Sequence, residues 1–480
     1  MILPKKADIK APGCNVIRER IRAVLCFFQR SQQIMRRFWL FILGVLFVGT
    51  GCSLLEGPQR PVIPTPIPPA VEAVAASGET VFDPRSDIIP GIDPDIMALV
   101  NAASQQNLLA YVQTLEGFGT RNTYSATDSE SFGVGAARLW IFNNFVRVGG
   151  GRLQVQFDDF PVTSSGGIVY NQQNVVARLP GTGEYPGVIV LMAHYDSRTV
   201  DPINGSALAP GANDNATGVA VLLEVARLLS ARTWSQDVVF AAFAAEEQEM
   251  LGSLHFVGDK MLDGWIINAA INNDVVGGNP GIPQSIRVFT AGSDFEPPRQ
   301  LAHYMELIGG YYLPAFAINL ENTVDRPGRF SDHMRFLDVG IPAIRITQSI
   351  EDTSVQHTGL DRSDLLDYSY LLKVTQLNLA TAANIIGAPP APPPPTVAPM
   401  ANPGAYIVTW TPDLNAAGYA ISFRPVGWPN YPPLVFVRQA QAGNVAITTL
   451  QPGTQYMVSM AAFTESGRLG LFSPEIPVGP

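Results

Sequence analysis

Unbroken apolar runs alternate with helical patterns through the middle of the chain. The runs include GVIVLMAHYD, VVFAAFAAEE, AAINNDVV and IPAIRIT, and the helical patterns are clearest at 218–232 and 365–386. An unbroken apolar run is typical of a strand that is buried on both faces. Strands that alternate with helices predict an α/β fold, in which helices cover both faces of a mixed, mostly parallel sheet.

The pattern changes on either side of this region, which we place at 93–387. Residues 52–92 contain the proline-rich stretch GPQRPVIPTPIPPAVEAVAASGE and are expected to form an extended tether. A second proline-rich segment, APPAPPPPTVAP, is expected to be a linker at 388–399. Short strand-like runs separated by turn residues follow at 400–480, and this spacing predicts an all-β sandwich.

The sandwich segment LQPGTQYMVSMAAF, with VTW about forty residues earlier, resembles a fibronectin type III domain. The resemblance makes Tyr456 its corner tyrosine. No cluster of catalytic residue types occurs in this segment. We therefore expect a spacer, or a module that binds a polymer or a protein.

Residues 1–51 end in a possible export signal. The stretch MRRFWLFILGVLFVGTGC begins at Met35, which this pattern favours as the true start. Its basic, apolar and small-residue order is that of a secretory signal, and its apolar run is shorter than the roughly 20 residues of a membrane-spanning helix. The end resembles a bacterial lipoprotein signal with Cys52 as the lipidated residue. Gly49 stands where such signals carry Leu, Val or Ile, so an uncleaved anchor and free secretion stay open.

Cysteine usage argues against a disulfide-rich fold, and net charge argues against a nucleic-acid-binding protein. All three cysteines lie within the first 52 residues, so the rest of the chain has no disulfide framework. Beyond residue 51 there are 22 basic and 39 acidic residues. Such a surface repels nucleic acid, and we expect none as a partner.

Metal-ligand residue types follow the apolar runs. In an open α/β sheet, functional groups collect beyond the carboxyl ends of the strands. Four apolar runs are followed by such residues, and one further carboxylate, Asp214, lies just before the helix at 218–232. The residues that follow the runs are His194, Asp196, Glu246, Glu247, Asp274, His357 and Asp361. Two histidines together with three carboxylates from this set suit zinc, which accepts nitrogen and oxygen ligands.

Each of these residues also has an ordinary explanation. Asp214 can cap the helix that follows it. Glu247 can be a solvated carboxylate near the start of a helix, where the dipole favours it. Asp274 can begin a turn, and a lone His194 is more often a hydrogen-bonded core residue. Taken separately, these explanations do not account for a metal-ligand residue type at the end of every one of these strands.

Four segments together closely resemble the zinc aminopeptidase family of the aminopeptidase Y and bacterial leucyl aminopeptidase type. They are AHYDS, PGANDNATG, AAEEQEMLGS and NND, within a likeness that runs from about Asp95 to Ile386. The resemblance implies two Zn²⁺ ions per chain. One is held by His194 and Asp274, the other by Glu247 and His357, and Asp214 bridges both.

The resemblance also implies roles for two further carboxylates. Glu246 is the general base, and Asp196 orients the imidazole of His194. His333 in SDHM competes with His357 for the place of the last ligand, although His357 fits the family pattern better. Family members often carry tyrosine before the last histidine, where this chain has Gln356.

The expected activity is aminopeptidase action on peptide or protein substrates. A glutaminyl cyclase-like enzyme with a single zinc is the second hypothesis, because those enzymes are relatives of the family. A scaffold or receptor of the same fold without catalysis is the third. The export signal adds the expectation of a membrane-anchored, cell-surface location.

Overall fold

The computed structural model describes residues 71–75, 81–83, 90–293 and 296–479. The predicted signal segment, Cys52 and most of the predicted tether lie outside the described residues. Within these ranges, no helix combines the length and apolar character that crossing a bilayer requires.

Helices and strands alternate along the described chain. The helices are α1 (Pro94–Asn101), α2 (Gln105–Glu116), α3 (Gly133–Gly149), α4 (Thr217–Leu229), α5 (Leu251–Leu262), α6 (Pro297–Tyr312), α7 (His333–Leu337) and α8 (Tyr368–Gly387). The strands of the large sheet are β2 (Gln154–Thr163), β3 (Val169–Leu179), β4 (Val188–His194), β5 (Asp237–Phe243), β6 (Ile267–Asn273), β7 (Ser285–Phe289), β8 (Ala317–Glu321) and β9 (Ala343–Gln348).

These eight strands form one mixed sheet in the order β2-β3-β5-β4-β6-β9-β7-β8. Its centre, β5-β4-β6-β9, is parallel throughout. Strand β3 runs antiparallel to β5, β2 antiparallel to β3, and β7 antiparallel to β9. The predicted α/β fold with a mixed, mostly parallel sheet is confirmed.

Both faces of the central strands are buried, which explains their unbroken apolar sequence. On β4, Leu191 belongs to the core cluster beneath α4, while its neighbour Met192 belongs to the cluster on the opposite face. That second cluster includes Phe256 of α5 and Phe336 of α7. Successive strand residues point to opposite faces, so a two-sided sheet needs an apolar residue at every position.

Two elements differ from the sequence prediction. The sequence from Asp95 to Leu115 carries a helical pattern that predicts one helix, whereas the structure has α1 and α2 there. Ser104 interrupts the pattern and caps α2 by accepting a hydrogen bond from the backbone N–H of Asn107. Strand β8 was not predicted, since its five residues AINLE are half-exposed at the sheet edge. Short edge strands carry little hydrophobic periodicity.

The C-terminal region is a β-sandwich, as predicted. One antiparallel sheet has the order β1-β14-β11-β10 and the other β13-β12-β15-β16. The strands are β1 (Ala73–Ala75), β10 (Thr396–Pro399), β11 (Tyr406–Thr409), β12 (Gly418–Pro425), β13 (Val435–Arg438), β14 (Asn444–Ile447), β15 (Tyr456–Phe463) and β16 (Ile476–Val478). Strand β1 comes from the range expected to be a tether, and β10 from the range expected to be a linker.

The sandwich packs directly on the α/β region. Phe463, Leu469 and Phe472 belong to the same buried cluster as the residues beneath α4. The Tyr304 hydroxyl on α6 donates to the carbonyl oxygen of Leu469 at 2.5 Å, and Arg468 pairs with Asp93 at 2.6 Å. An apolar contact supported by buried polar bonds holds the two parts together.

Candidate metal centre

The polar residues at the strand ends meet at one edge of the sheet. His194 is the last residue of β4, and Glu246 and Glu247 follow β5 after two residues. Asp274 follows β6 directly, and the loop after β9 carries His357. Because these four strands are parallel, their carboxyl ends share an edge.

His194 is the centre of a first group of donor atoms. Its Nε2 lies 3.3 Å from Asp214 Oδ1, 3.5 Å from Asp274 Oδ1 and 4.0 Å from Glu246 Oε2. The imidazole is almost fully buried, as are the carboxylates of Asp214 and Asp274.

His357 is the centre of a second group. Its Nε2 lies 3.1 Å from Asp214 Oδ2 and 3.2 Å from Glu247 Oε1. The two oxygens of Asp214 therefore face different histidines, and this one carboxylate connects the groups.

The spacing within each group fits a divalent metal ion. Zinc binds nitrogen and oxygen ligands at about 2.0–2.2 Å in tetrahedral geometry, which separates two ligand atoms by about 3.3 Å. The distances from the two histidines to Asp214, Asp274 and Glu247, at 3.1–3.5 Å, lie close to this value. In addition, Glu247 Oε1 and Asp274 Oδ1 are buried without a hydrogen-bond donor in the described chain. Buried carboxylate oxygens without donors are costly unless a cation binds them.

The charges of the site also favour a bound cation. Burial alone would lower the pKa of His194, but Glu246, Asp196, Asp214 and Asp274 hold it well above its usual value. Burial likewise opposes protonation of His357, and Asp214 and Glu247 raise its pKa to about 9. Carboxylates that stabilise a proton on an imidazole also stabilise a metal cation in its place.

Asp196 positions three site residues. Its carboxylate accepts hydrogen bonds from the backbone N–H groups of Glu246 at 3.1 Å and Glu247 at 3.2 Å. His194 Nδ1 lies 3.1 Å from the backbone carbonyl oxygen of Asp196 and 3.5 Å from its carboxylate. The expected contact with His194 therefore involves mainly the backbone, while the side chain of Asp196 fixes the turn that carries the two glutamates.

Two buried residues hold the loop of Asp214. The Asp361 carboxylate accepts from the backbone N–H groups of Asn213 at 2.8 Å and Asp214 at 2.9 Å. The fully buried Arg121 donates to the carbonyl oxygens of Tyr195 and Gly211, so it ties the end of β4 to the start of this loop. Arg121 and Asp361 therefore fix the position of the Asp214 carboxylate.

Arg345 on β9 neutralises one side of the site. Its guanidinium lies 2.8 Å from Asp274 Oδ2 and 2.8 Å from the buried carboxylate of Asp325. Burial would raise the pKa of Asp274, but Arg345 and His194 hold it well below its usual value. Asp274 is thus kept ionised, as a metal ligand must be.

Strained backbone borders the site. Among the described residues, positive φ occurs outside glycine at five positions, namely Ala245, Glu249, Met250, Val275 and His357. Such conformations cost of order 1 kcal/mol or more and persist where the surrounding structure imposes them. Here Ala245 precedes Glu246, Val275 follows Asp274, and His357 is itself a site residue.

The cleft in front of these groups has a volume of about 190 Å³. Its walls carry three arginines and one exposed carboxylate besides the site residues, namely Arg198, Arg326, Arg329 and Glu249. Arg198 Nε donates to Glu247 Oε2 at 2.6 Å and so fixes that carboxylate.

His333 does not join the site. Its Nε2 lies 2.9 Å from the carbonyl oxygen of Val324 and 4.0 Å from Asp325. Of the two histidines, His357 is therefore the one that lies beside Asp214 and Glu247. A separate group of Asp158, His255 and Asp259 lies on β2 and α5 and shares no residue with the two donor groups.

Sequence reasoning missed the supporting residues. Arg345 stands inside the predicted strand IPAIRIT, and Arg121 in a turn-rich stretch. A charged residue within an otherwise buried strand is the signal that could have revealed Arg345, since burial requires a partner. Its partner Asp274 is 71 positions earlier in the sequence, and no local pattern connects them.

Comparisons with known proteins agree with this arrangement. The family description "Peptidase family M28" matches residues 174–382. A probable zinc metalloprotease of Pyricularia oryzae is 32% identical over 338 residues, which cover 62% of this chain and 67% of that protein. A probable zinc metalloprotease of Leptosphaeria maculans is also 32% identical, over 63% of this chain and 79% of that protein.

A solved structure shows the same fold. The LapA aminopeptidase of Legionella pneumophila superposes with a TM-score of 0.50 at 19% identity, covering 62% of this chain and 76% of that one. The family match at 174–382 spans the segments that supply the donor groups. On the strength of these relatives, this chain belongs to peptidase family M28.

Proposed function

We propose that this protein is a zinc-dependent aminopeptidase that removes the N-terminal residue of peptides. The observation that carries the proposal is Asp214, whose two carboxylate oxygens face His194 at 3.3 Å and His357 at 3.1 Å. One carboxylate shared by two histidine-centred groups is the donor arrangement of a two-metal site.

Five residues would hold two zinc ions. His194 and Asp274 belong to one ion, Glu247 and His357 to the other, and Asp214 to both. When bound, zinc polarises the scissile carbonyl and lowers the pKa of a water molecule.

Glu246 is the general base of this proposal. Burial raises the pKa of Glu246 well above its usual value; His194 opposes this effect, and Glu247 and Asp274 add to it. A carboxylate with a raised pKa can accept the proton of the attacking water on Oε and then deliver it to the leaving amine nitrogen. Asp196 holds the turn of Glu246 in place for both transfers.

Two features favour action at a chain end. The cleft of about 190 Å³ is smaller than the roughly 300–1,000 Å³ of sites that enclose a drug-sized ligand, so it suits a terminal residue. Glu249 is an exposed carboxylate in the cleft wall, where it can pair with the ammonium group of a free N-terminus. The family resemblance supports the same direction of cleavage.

A peptide-library digest read by mass spectrometry tests the proposal. The zinc-loaded protein is expected to remove single residues from free N-termini, to lose this activity on chelation and to regain it when zinc is added. Loss of ammonia from N-terminal glutamine would indicate a cyclase instead, and one zinc per chain would agree with it. Trimming from the C-terminus, or no product with any peptide, would overturn the proposal.

The remaining parts of the chain receive assignments that agree with this activity. We assign the sandwich as a fibronectin type III-like module, because the Tyr456 hydroxyl accepts from the backbone N–H of Gln451 at 3.1 Å, as a tyrosine corner does. The signal segment and Cys52 support export and attachment at the cell surface. Metabolic labelling with a fatty acid, with Cys52→Ser as control, tests the attachment.

A further inference from the structure

One wall of the cleft carries two arginines that are not engaged with the metal-binding carboxylates. Arg326 and Arg329 lie in the loop between β8 and α7, with Gly328 and Phe330 beside them in the wall. Four residues of the two donor groups, Asp214, Glu247, Asp274 and His357, line the same cleft. A substrate bound at the donor groups therefore lies in the cleft that these guanidiniums line.

The arginines belong to a network with more guanidiniums than carboxylates. Glu351 pairs with Arg287 at 2.6 Å, closely with Arg326, and with Arg329 at 3.8 Å. Asp325 pairs with Arg326 and with Arg345, and Arg345 also pairs with Asp274. Four guanidiniums thus share three carboxylates, of which Asp274 is one of the proposed zinc ligands. Because arginine stays charged in proteins, all four remain cations, and Arg329, the most distant partner of Glu351, is the least tightly paired.

Arg329 is the member that is open to a ligand. Its side chain is one-third exposed, whereas that of Arg326 is 12% exposed. Its Nη1 donates to Gln356 Oε1 at 2.8 Å, and Gln356 in turn donates to Glu351 at 3.2 Å. Within the described ranges, no hydrogen bond engages Arg329 Nε or Nη2. The guanidinium is therefore held on one side by a buried glutamine and presents its other side to the cleft.

The geometry points to a carboxylate-binding subsite at Arg329, supported by Arg326, so that the enzyme prefers peptides with a carboxylate close to the scissile bond. This inference rests on the proposed function. A guanidinium binds a carboxylate through two parallel N–H···O bonds, which combine charge with fixed orientation. The carboxylate can be a side chain of Asp or Glu, or the C-terminus of a dipeptide, and the same subsite chemistry serves either source.

Six short peptides separate these sources. Ala-Ala as the free acid is compared with Ala-Ala amide, Glu-Ala amide with Gln-Ala amide, and Ala-Glu amide with Ala-Gln amide. Each pair differs in one carboxylate only. In the zinc-loaded protein, kcat/KM is expected to favour the carboxylate member of at least one pair about tenfold or more, since a hydrogen bond to a charged group is worth roughly that factor.

Variants at Arg329 test whether this residue is the cause. Arg329→Gln should reduce the preference for the carboxylate member about tenfold, and Arg329→Lys, which keeps the charge but loses the two-bond geometry, should reduce it less. Arg178 is an exposed arginine that pairs with Asp237, where β3 ends and β5 begins, at the edge of the sheet opposite the donor groups. The matched control is therefore Arg178→Gln. It should leave every ratio unchanged. Unfolding curves of all variants check that they fold alike.

The outcomes separate the inference from the function on which it rests. Cleavage of both members of every pair at equal efficiency, or a preference that survives Arg329→Gln, contradicts the subsite while the aminopeptidase stands. If the zinc-loaded protein cleaves none of the peptides, the proposed function fails. Calorimetric binding of the same pairs then decides the subsite alone, because selective binding that Arg329→Gln abolishes supports it and equal binding contradicts it.

Discussion

The guanidinium of Arg345 lies 2.8 Å from the carboxylate of Asp274, and both side chains are buried. The same guanidinium contacts Asp325 at 2.8 Å. One arginine therefore compensates two carboxylates, one of them a proposed zinc ligand. Such a cation offsets the repulsion among the buried carboxylates of the proposed metal site, so the protein can fold before a metal ion binds.

Replacing Arg345 should destabilise the metal-free protein strongly. Arg345→Met leaves the buried Asp274 without its guanidinium and leaves Asp325 with Arg326 alone. Removal of one partner of a buried pair costs about 3–5 kcal/mol. Urea denaturation in the presence of a chelator measures this loss of unfolding free energy. Arg178→Met removes an exposed ion pair of the same kind and should cost less than about 1 kcal/mol. Equal costs for the two variants would show that Arg345 has no special part in the site.

Asp196→Asn should separate positioning of the glutamates from positioning of His194. The asparagine side chain has one acceptor oxygen for two backbone N–H groups, so the turn of Glu246 and Glu247 loses support. The carbonyl oxygen that faces His194 remains. We expect kcat to fall about 10–100-fold, as for other residues that orient a metal site. Zinc content, measured by mass spectrometry, should stay close to that of the wild type. A proportional loss of zinc would mean that the carboxylate acts on His194 instead.

The sequence predicted the sheet and the residues at its edge because both depend on local pattern. An apolar run that ends at His194 or just before Glu246 marks both a buried strand and the position where that strand ends. Parallel strands then bring these exits together without any knowledge of side-chain contacts. Six residues from five separate segments could be assembled in this way, and the structure brings them within one cleft.

The supporting residues could not be found in the same way. Arg121 and Arg345 act on site partners 71 to 90 positions away, and their roles depend on burial that the sequence does not display. The packing of the sandwich was missed for a related reason. Leu469 and Phe472 look like ordinary sandwich residues until α6 is seen beside them.

Glu246→Gln should abolish proton transfer while leaving metal binding intact. Glutamine has nearly the same shape but cannot accept the proton of the attacking water, and loss of a general base usually costs about 10²–10⁴-fold in kcat. Steady-state kinetics with an aminoacyl chromogenic substrate measures the loss, and zinc analysis accompanies it. Glu465→Gln, in an exposed turn of the sandwich, is the control for charge. Because Glu246 Oε2 lies 4.0 Å from His194 Nε2, it is also close enough to be a ligand. A zinc content halved by Glu246→Gln would assign it that role instead.

His303 is a buried histidine outside the site, at the contact between α6 and the sandwich. Its ring centre lies 5.7 Å from that of Tyr431, and neither ring nitrogen has a hydrogen-bond partner in the described chain. Burial lowers the pKa of His303 to about 3, and the positive charges of Arg424 and Arg299 add to the effect. The folded protein therefore keeps this ring neutral at a pH where the unfolded chain, with a histidine pKa near 6.5, is protonated.

This difference makes His303 a source of acid sensitivity. Between pH 6.5 and 3 the unfolded state binds more protons than the folded state, so stability is complete above pH 6.5 and falls as the pH decreases. At pH 4.5 the loss that His303 causes amounts to about 2.5 kcal/mol relative to pH 7. His303→Phe keeps a buried ring without a titrating group, so its unfolding free energy should fall by about that much less over the same interval. Urea denaturation of both proteins at the two pH values gives the difference, in which acid effects on the metal centre cancel. Equal losses in the two proteins would show that the His303 ring becomes protonated in the folded state without cost.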